Sequence, residues 1–191
     1  MNVFLVGPMG SGKSAVGRQL AQRLDLDFID SDAEIEDRTG VDIAYIFERE
    51  GEAGFRSREA EVIDALSRRD QVLVSTGGGA ILDASTRERL RARGRVVYLR
   101  TSVDQQLART RRSNDRPLLN NDDPRGTLER LFEQRAPLYA EVAGIVGRKR
   151  VEAVLLGDGG RIDCDTVVFT GDWIPDHELA RRGGLRMLPV A

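Results

Sequence analysis

Cysteine and histidine are nearly missing from this chain of 191 residues: Cys164 is its one cysteine and His177 its one histidine. A single cysteine excludes an internal disulfide, offers no thiolate metal cluster and suits a reducing compartment. A single histidine argues against imidazole catalysis and against a histidine-rich metal site. No apolar run approaches the roughly 20 residues needed to cross a bilayer. The opening residues, Met1 to Val6, lack the basic segment of a secretion signal and lead straight into a glycine loop, so no signal peptide is expected. A formal net charge of −2 and a pI near 5.6 argue against nucleic acid as the main partner. These absences make a cytoplasmic protein without a membrane or nucleic-acid partner the expectation.

What is present is arginine and an alternating pattern. The 29 basic residues leave room for a local anion-binding cluster despite the acidic balance. Val3 to Val6 is a short continuous apolar run that ends at Gly7, as in a fully buried parallel strand. Val16, Leu20 and Leu24 then recur at helical spacing after Lys13. Phe28-Ile29, Gln71 to Ser75 and Val96 to Leu99 read as further strands. Asp32 to Arg38, Ile43 to Arg49, Ala53 to Arg68, Ser85 to Arg93 and Val103 to Arg109 read as helices. Thr127 to Tyr139 reads as a helix broken by Pro137. The alternation predicts an α/β fold, a parallel sheet with helices on both faces. Arg112 to Arg125 is polar and aperiodic, a long surface loop suited to a lid.

Gly7-Pro8-Met9-Gly10-Ser11-Gly12-Lys13-Ser14 matches G-x-x-x-x-G-K-S/T at every position, with a strand before and a helix after. Backbone N–H groups of such a loop cradle phosphate oxygens, helped by the positive end of the following helix. Lys13 is placed to reach the β- and γ-phosphates, and the Ser14 hydroxyl to ligate Mg²⁺. The nucleotide contacts expected of this segment run from Gly10 through Ser11, Gly12, Lys13 and Ser14 to Ala15. The motif specifies a nucleotide and leaves the second substrate open.

Asp30 and Asp32 flank Ser31 at the end of the second strand, where open α/β sheets place ligands. They suit a Mg²⁺ shell and an acceptor hydroxyl; equally, they suit the cap of the next helix. Gly77-Gly78-Gly79 follows a buried strand and lets backbone approach a ligand closely. Arg56, Arg58, Arg116 and Arg135 are candidates to hold a carboxylate or a transferring phosphoryl group. Composition alone does not choose among them.

Over roughly residues 1 to 143 these segments resemble shikimate kinases. The resemblance is carried by the P-loop, Asp30-Ser31-Asp32, Arg38-Thr39-Gly40 with Ile43 to Phe47, Gly51-Glu52 through Phe55-Arg56 to Glu59, Thr76 to Ala80, Arg116-Pro117-Leu118 and Arg135-Ala136-Pro137-Leu138-Tyr139. It implies a P-loop NTPase domain of the nucleoside-monophosphate-kinase type with a five-stranded parallel sheet. The implied reaction is ATP-dependent phosphorylation of the 3-hydroxyl of shikimate, with ATP and shikimate as small-molecule partners and the enzyme acting as a monomer. In that family pattern Asp30 helps hold Mg²⁺ and Asp32 binds acceptor hydroxyls and serves as base. Arg56 and Arg135 hold the carboxylate, Gly77, Gly78 and Gly79 line the ring, Arg116 stabilises the transferring phosphoryl group, and Arg109 lies near adenine. Glu59 orients Arg56, and Phe47 and Phe55 pack the pocket. A gluconate-like kinase, or a nucleotide-binding module impaired by its C-terminus, remains an alternative.

From about Gly144 the texture changes. Residues 1–147 read as the kinase-like domain and 148–191 as an atypical tail. Val151 to Leu156, a glycine-rich turn and Ile162 to Thr170 read as a β-hairpin. With Trp173 to Leu179 the tail resembles a fragment of a pyridine nucleotide-disulfide oxidoreductase. It lacks that family's G-x-G-x-x-G, so no flavin site is expected. The tail is expected to complete the kinase fold poorly.

Overall fold

The four residues of β1 (Val3–Val6) are completely buried, and their alternation divides the core in two. Val3 and Leu5 face one layer, and Phe4 and Val6 the other, because successive strand side chains point to opposite faces. The computed structural model describes residues 1–110 and 123–143, together with the strands at 153–155, 161–163 and 166–169. The element order after β1 is α1 (Lys13–Leu24), β2 (Asp27–Asp30), α2 (Ser31–Thr39), α3 (Ile43–Ser67), β3 (Val72–Ser75), α4 (Ala84–Arg93), β4 (Arg95–Arg100), α5 (Val103–Thr110) and α6 (Pro124–Ala143). β5 (Ala153–Leu155), β6 (Arg161–Asp163) and β7 (Thr166–Phe169) follow. A short 3₁₀ turn, Ala80–Leu82, joins β3 to α4.

β2, β3, β1 and β4 form a parallel sheet in that order, with Val3 opposite both Leu73 and Arg95. On one face Val16, Leu20 and Ala21 of α1 pack on Val3, Leu5, Leu73, Val97 and Leu99. The other face carries the larger cluster, including Ile46, Ile63, Leu66, Leu90, Tyr139 and Val142. The expected layered α/β architecture is therefore present. All four parallel strands end on the same edge, so Gly7, Asp30 and Thr76 emerge side by side there, where such sheets bind ligands.

Two helical details depend on special residues. Expected as two helices, Ile43–Arg49 and Ala53–Arg68 form one helical run interrupted at Gly51, whose φ of 69° and ψ of −177° are non-helical. Gly51 supplies a left-handed φ that other residues resist. Pro137, by contrast, does not break its helix: α6 continues to Ala143. An interior proline costs about 3 kcal/mol. Burial of Leu128, Tyr139 and Val142 along one face, at about 2 kcal/mol each, outweighs it.

The fifth strand departs from the family expectation of an all-parallel sheet. β7 lies antiparallel on the free edge of β4, with Leu99 opposite Val167. The expected hairpin forms over a shorter stretch, pairing Ala153–Leu155 with Arg161–Asp163. The end of its second strand belongs instead to the main sheet. An uncovered β4 edge would present unpaired backbone groups, and any strand of either direction satisfies them.

Candidate active site

The P-loop is a hollow formed at the start of α1. Gly12 is the N-cap of α1 with φ 90°, and no side chain caps that end. By helix geometry the first N–H groups, those of Lys13, Ser14 and Ala15, face out of the helix end toward an anion. Lys13 is buried, and its Nζ donates to the carbonyls of Gly7 at 2.8 Å and Pro8 at 2.9 Å and to Ser11 Oγ at 3.4 Å. The ammonium thus sits within the loop that is to receive phosphate. Gly10 is packed on α5: a Cβ there would lie 3.2 Å from Gln106 Cα. Arg109 Nη1 donates to the Gly10 carbonyl at 2.9 Å, so the structure places Arg109 against the P-loop.

Asp30 caps the next helix and also bonds the P-loop serine. Its Oδ2 accepts the Ser14 hydroxyl at 2.6 Å, and its Oδ1 caps α2 by accepting the Asp32 N–H at 3.1 Å. A hydroxyl and a carboxylate held together beside a phosphate loop form a hard oxygen pair suited to Mg²⁺. Among the described residues no group of three or more His, Cys, Asp or Glu side chains is disposed to hold a metal. Such a cation would therefore depend on nucleotide phosphates and water for its remaining ligands.

The triple glycine forms the floor between these elements. A Cβ on Gly77 would lie 2.2 Å from Glu59 Oε1 and 2.8 Å from Asp32 Oδ1. One on Gly79 would lie 2.3 Å from the Arg56 guanidinium, and one on Gly78 would lie 3.4 Å from the Met9 nitrogen in the P-loop. No other residue type fits at Gly77 or Gly79 without displacing a charged group. The Gly77 N–H donates to Ser31 Oγ at 3.0 Å, which locks the turn to the Asp30-Ser31-Asp32 segment.

Arg56 reaches this floor from α3. It donates to Glu59 Oε2 at 2.6 Å and to Glu52 at 3.0 and 3.2 Å, and its guanidinium lies 5.1 Å from the Phe55 ring centre. Phe55 in turn packs on Phe47, with centroids 4.8 Å apart. Arg58 points elsewhere and pairs with Glu50 on the surface. Arg135 arrives from α6, almost wholly buried, and donates Nη1 to the Gly78 carbonyl at 3.3 Å. Its buried Nε finds no hydrogen-bond partner among the described residues, a donor that an incoming carboxylate would satisfy. Arg116 lies outside the described residues.

Glu59 is 1% exposed, and burial pushes its carboxyl up to about 7. Arg56 and Arg135 pull it down, and the neighbouring Asp32 charge pushes it further up. Between the ordinary value of 4.5 and about 7, the folded protein holds a proton that the unfolded chain has lost. The ligand-free protein should therefore lose stability as pH rises across that window, and Glu59→Gln should flatten the dependence. Melting temperatures measured from pH 4.5 to 7.5 check this; parallel curves for the two proteins would refute it.

The model of the family described as "Shikimate kinase" matches residues 9–154. A curated shikimate kinase of Shewanella frigidimarina is 59% identical over 145 residues, covering 76% of this chain and 85% of its own. The chain belongs to the shikimate kinase family. A shikimate kinase of Halorhodospira halophila is 61% identical over 144 residues, 75% of this chain and 81% of that protein. Among solved structures, a shikimate kinase from Acinetobacter baumannii in complex with shikimate superposes with a TM-score of 0.74. It is 51% identical and covers 78% of this chain and 84% of its own. The shikimate kinase match spans every described site residue from Gly10 to Tyr139 and stops in β5, so most of the tail lies beyond it.

Two residues of the site stood within the quoted motifs but received no role from the sequence. Ser31 was hidden between two more conspicuous carboxylates, and Tyr139 behind the arginine four residues before it. Both act through hydroxyl contacts to the glycine turn, 46 and 61 residues away in the chain. The i, i+4 spacing of Arg135 and Tyr139 was the one local signal that they share a helix face.

Proposed function

We propose that this protein transfers the γ-phosphate of ATP to the 3-hydroxyl of shikimate, giving shikimate 3-phosphate. The observation that carries the reading is the convergence of Arg56, Arg135 and Asp32 on a glycine floor that abuts the P-loop. Two guanidinium groups suit a carboxylate, and a carboxylate suits hydroxyls. The Acinetobacter enzyme crystallised with shikimate supports the choice of acceptor.

In this reading the N–H groups from Gly10 to Ala15 hold the phosphates, and Lys13 meets the β- and γ-oxygens. Arg109 borders the nucleotide, and Arg116 contributes charge from the segment before α6. Ser14 and Asp30 hold Mg²⁺, which when bound neutralises phosphate charge. Arg56 and Arg135 fix the acceptor by its carboxylate, so that Gly77, Gly78 and Gly79 line its ring. Asp32 orients the reacting hydroxyl and takes its proton. Catalysis is positioning and charge stabilisation in a water-poor site.

In this reading the enzyme works as a monomer in the cytoplasm. Among the described residues no helix is long and apolar enough to cross a membrane. Residues 1–147 carry the groups assigned here, and β7 of the tail adds an edge strand to their sheet. The test is product analysis with ATP, Mg²⁺ and an equal mixture of shikimate and gluconate. Shikimate 3-phosphate is expected, and phosphorylation of gluconate alone would overturn the reading.

A further inference from the structure

We infer that Tyr139 is a positioning residue of the acceptor site, whose hydroxyl holds the Gly78 carbonyl so that Arg135 is released to the substrate carboxylate. This rests on the proposed function and assigns a role to a residue that it leaves idle. Tyr139 is completely buried at the end of the segment that also supplies Arg135. Its ring stacks on Tyr98 of β4, with centroids 5.0 Å apart and planes at 27°. Its hydroxyl donates to the Gly78 carbonyl, the same oxygen that accepts Arg135 Nη1 at 3.3 Å.

Two donors therefore share one acceptor, using the two lone pairs of a carbonyl. They are four residues apart on α6 and lie on the same face. Gly78 is the joint of the site: it touches the P-loop through Met9, and its neighbours Gly77 and Gly79 abut Glu59, Asp32 and Arg56. Arg135 can meet a carboxylate through its Nε, and turning toward it strains the long Nη1 bond to Gly78. A part-buried carbonyl that lost its donor would be costly and would move the turn. Tyr139 removes that cost, because its bond remains when the guanidinium leaves. Burial raises the phenol above its ordinary range against the pull of the adjacent Arg135, so it remains a donor at any physiological pH. The stack on Tyr98 fixes the ring from the sheet side, independently of the ligand.

The test is Tyr139→Phe, which removes the hydroxyl and keeps the stacked ring. In calorimetric titrations the shikimate Kd should rise about fivefold, the size of one net hydrogen bond, with ATP affinity unchanged. In an Arg135→Met background the same substitution should change shikimate affinity by less than about twofold, because no guanidinium remains to be released. A purely structural role would lower the melting temperature and leave shikimate affinity as in wild type; that result overturns the inference. So does an equal loss in both backgrounds. Should the phenylalanine variant fail to fold, 3-fluorotyrosine at position 139 preserves the shape with a stronger donor. Tighter shikimate binding is then expected, and unchanged binding refutes the role. Wild-type protein that does not bind shikimate at all would sink the functional reading and this inference together; wild-type binding with an unshifted variant sinks this inference alone.

Discussion

Lys13→Ala should lower kcat about 100- to 1000-fold, the loss typical when one preorganised charge is removed from a developing oxyanion. Lys13 Nζ is already fixed inside the loop by the Gly7 and Pro8 carbonyls at 2.8 and 2.9 Å. Its charge therefore meets the phosphates without a search through side-chain rotamers. The N–H groups at the start of α1 remain to hold phosphate, although the loop loses the bonds of Nζ to Gly7, Pro8 and Ser11. The nucleotide should still bind, more weakly, while transfer nearly stops. Steady-state kinetics with purified variant and wild type check this. A kcat within fivefold of wild type would mean that Lys13 stays on the loop carbonyls throughout and never serves the phosphoryl group.

Arg135→Ala should act on the other substrate. Among the described residues its Nε lacks a hydrogen-bond partner and its Nη1 bond to Gly78 is long, so both nitrogens can serve a carboxylate. A hydrogen bond to a charged group contributes about 1.5–3 kcal/mol, so the shikimate KM should rise about 10- to 100-fold. The ATP KM should stay near wild type, because Tyr139 still bonds the Gly78 carbonyl and keeps the floor in place beside the P-loop. Competitive binding measurements for both ligands decide it. Equal weakening of ATP and shikimate would show that Arg135 is structural for the whole crevice, and unchanged shikimate affinity would remove it from the acceptor site.

The features legible in the sequence were those written in neighbouring residues. An apolar run followed by the P-loop announced β1, the loop and α1 at once. The gap between the two expected helices, Ile43–Arg49 and Ala53–Arg68, fell where Gly51 interrupts α3 with a left-handed φ. The features that were not legible depended on distant packing. Pro137 looked like a helix end, and only the burial of α6 against the sheet overrides it. Arg56 and Arg58 are chemically alike and two residues apart, so they project from different faces of one helix. Burial against Gly79 distinguishes Arg56, and solvent and Glu50 claim Arg58. The resemblance to shikimate kinases pointed to Arg56 where composition left both open, and Arg56 is the one that lies against Gly79. Likewise the edge strand of the sheet, β7, comes from the tail and runs against its neighbour, a pairing that no local pattern encodes.

The most direct test of the account is ADP release in a coupled assay with ATP and Mg²⁺, with and without shikimate. Turnover should be slow alone and rise many-fold with shikimate, with one shikimate 3-phosphate formed per ADP. An ADP release rate that shikimate does not change, with the nucleotide bound, would contradict the central claim and leave the chain a P-loop protein with another acceptor or none.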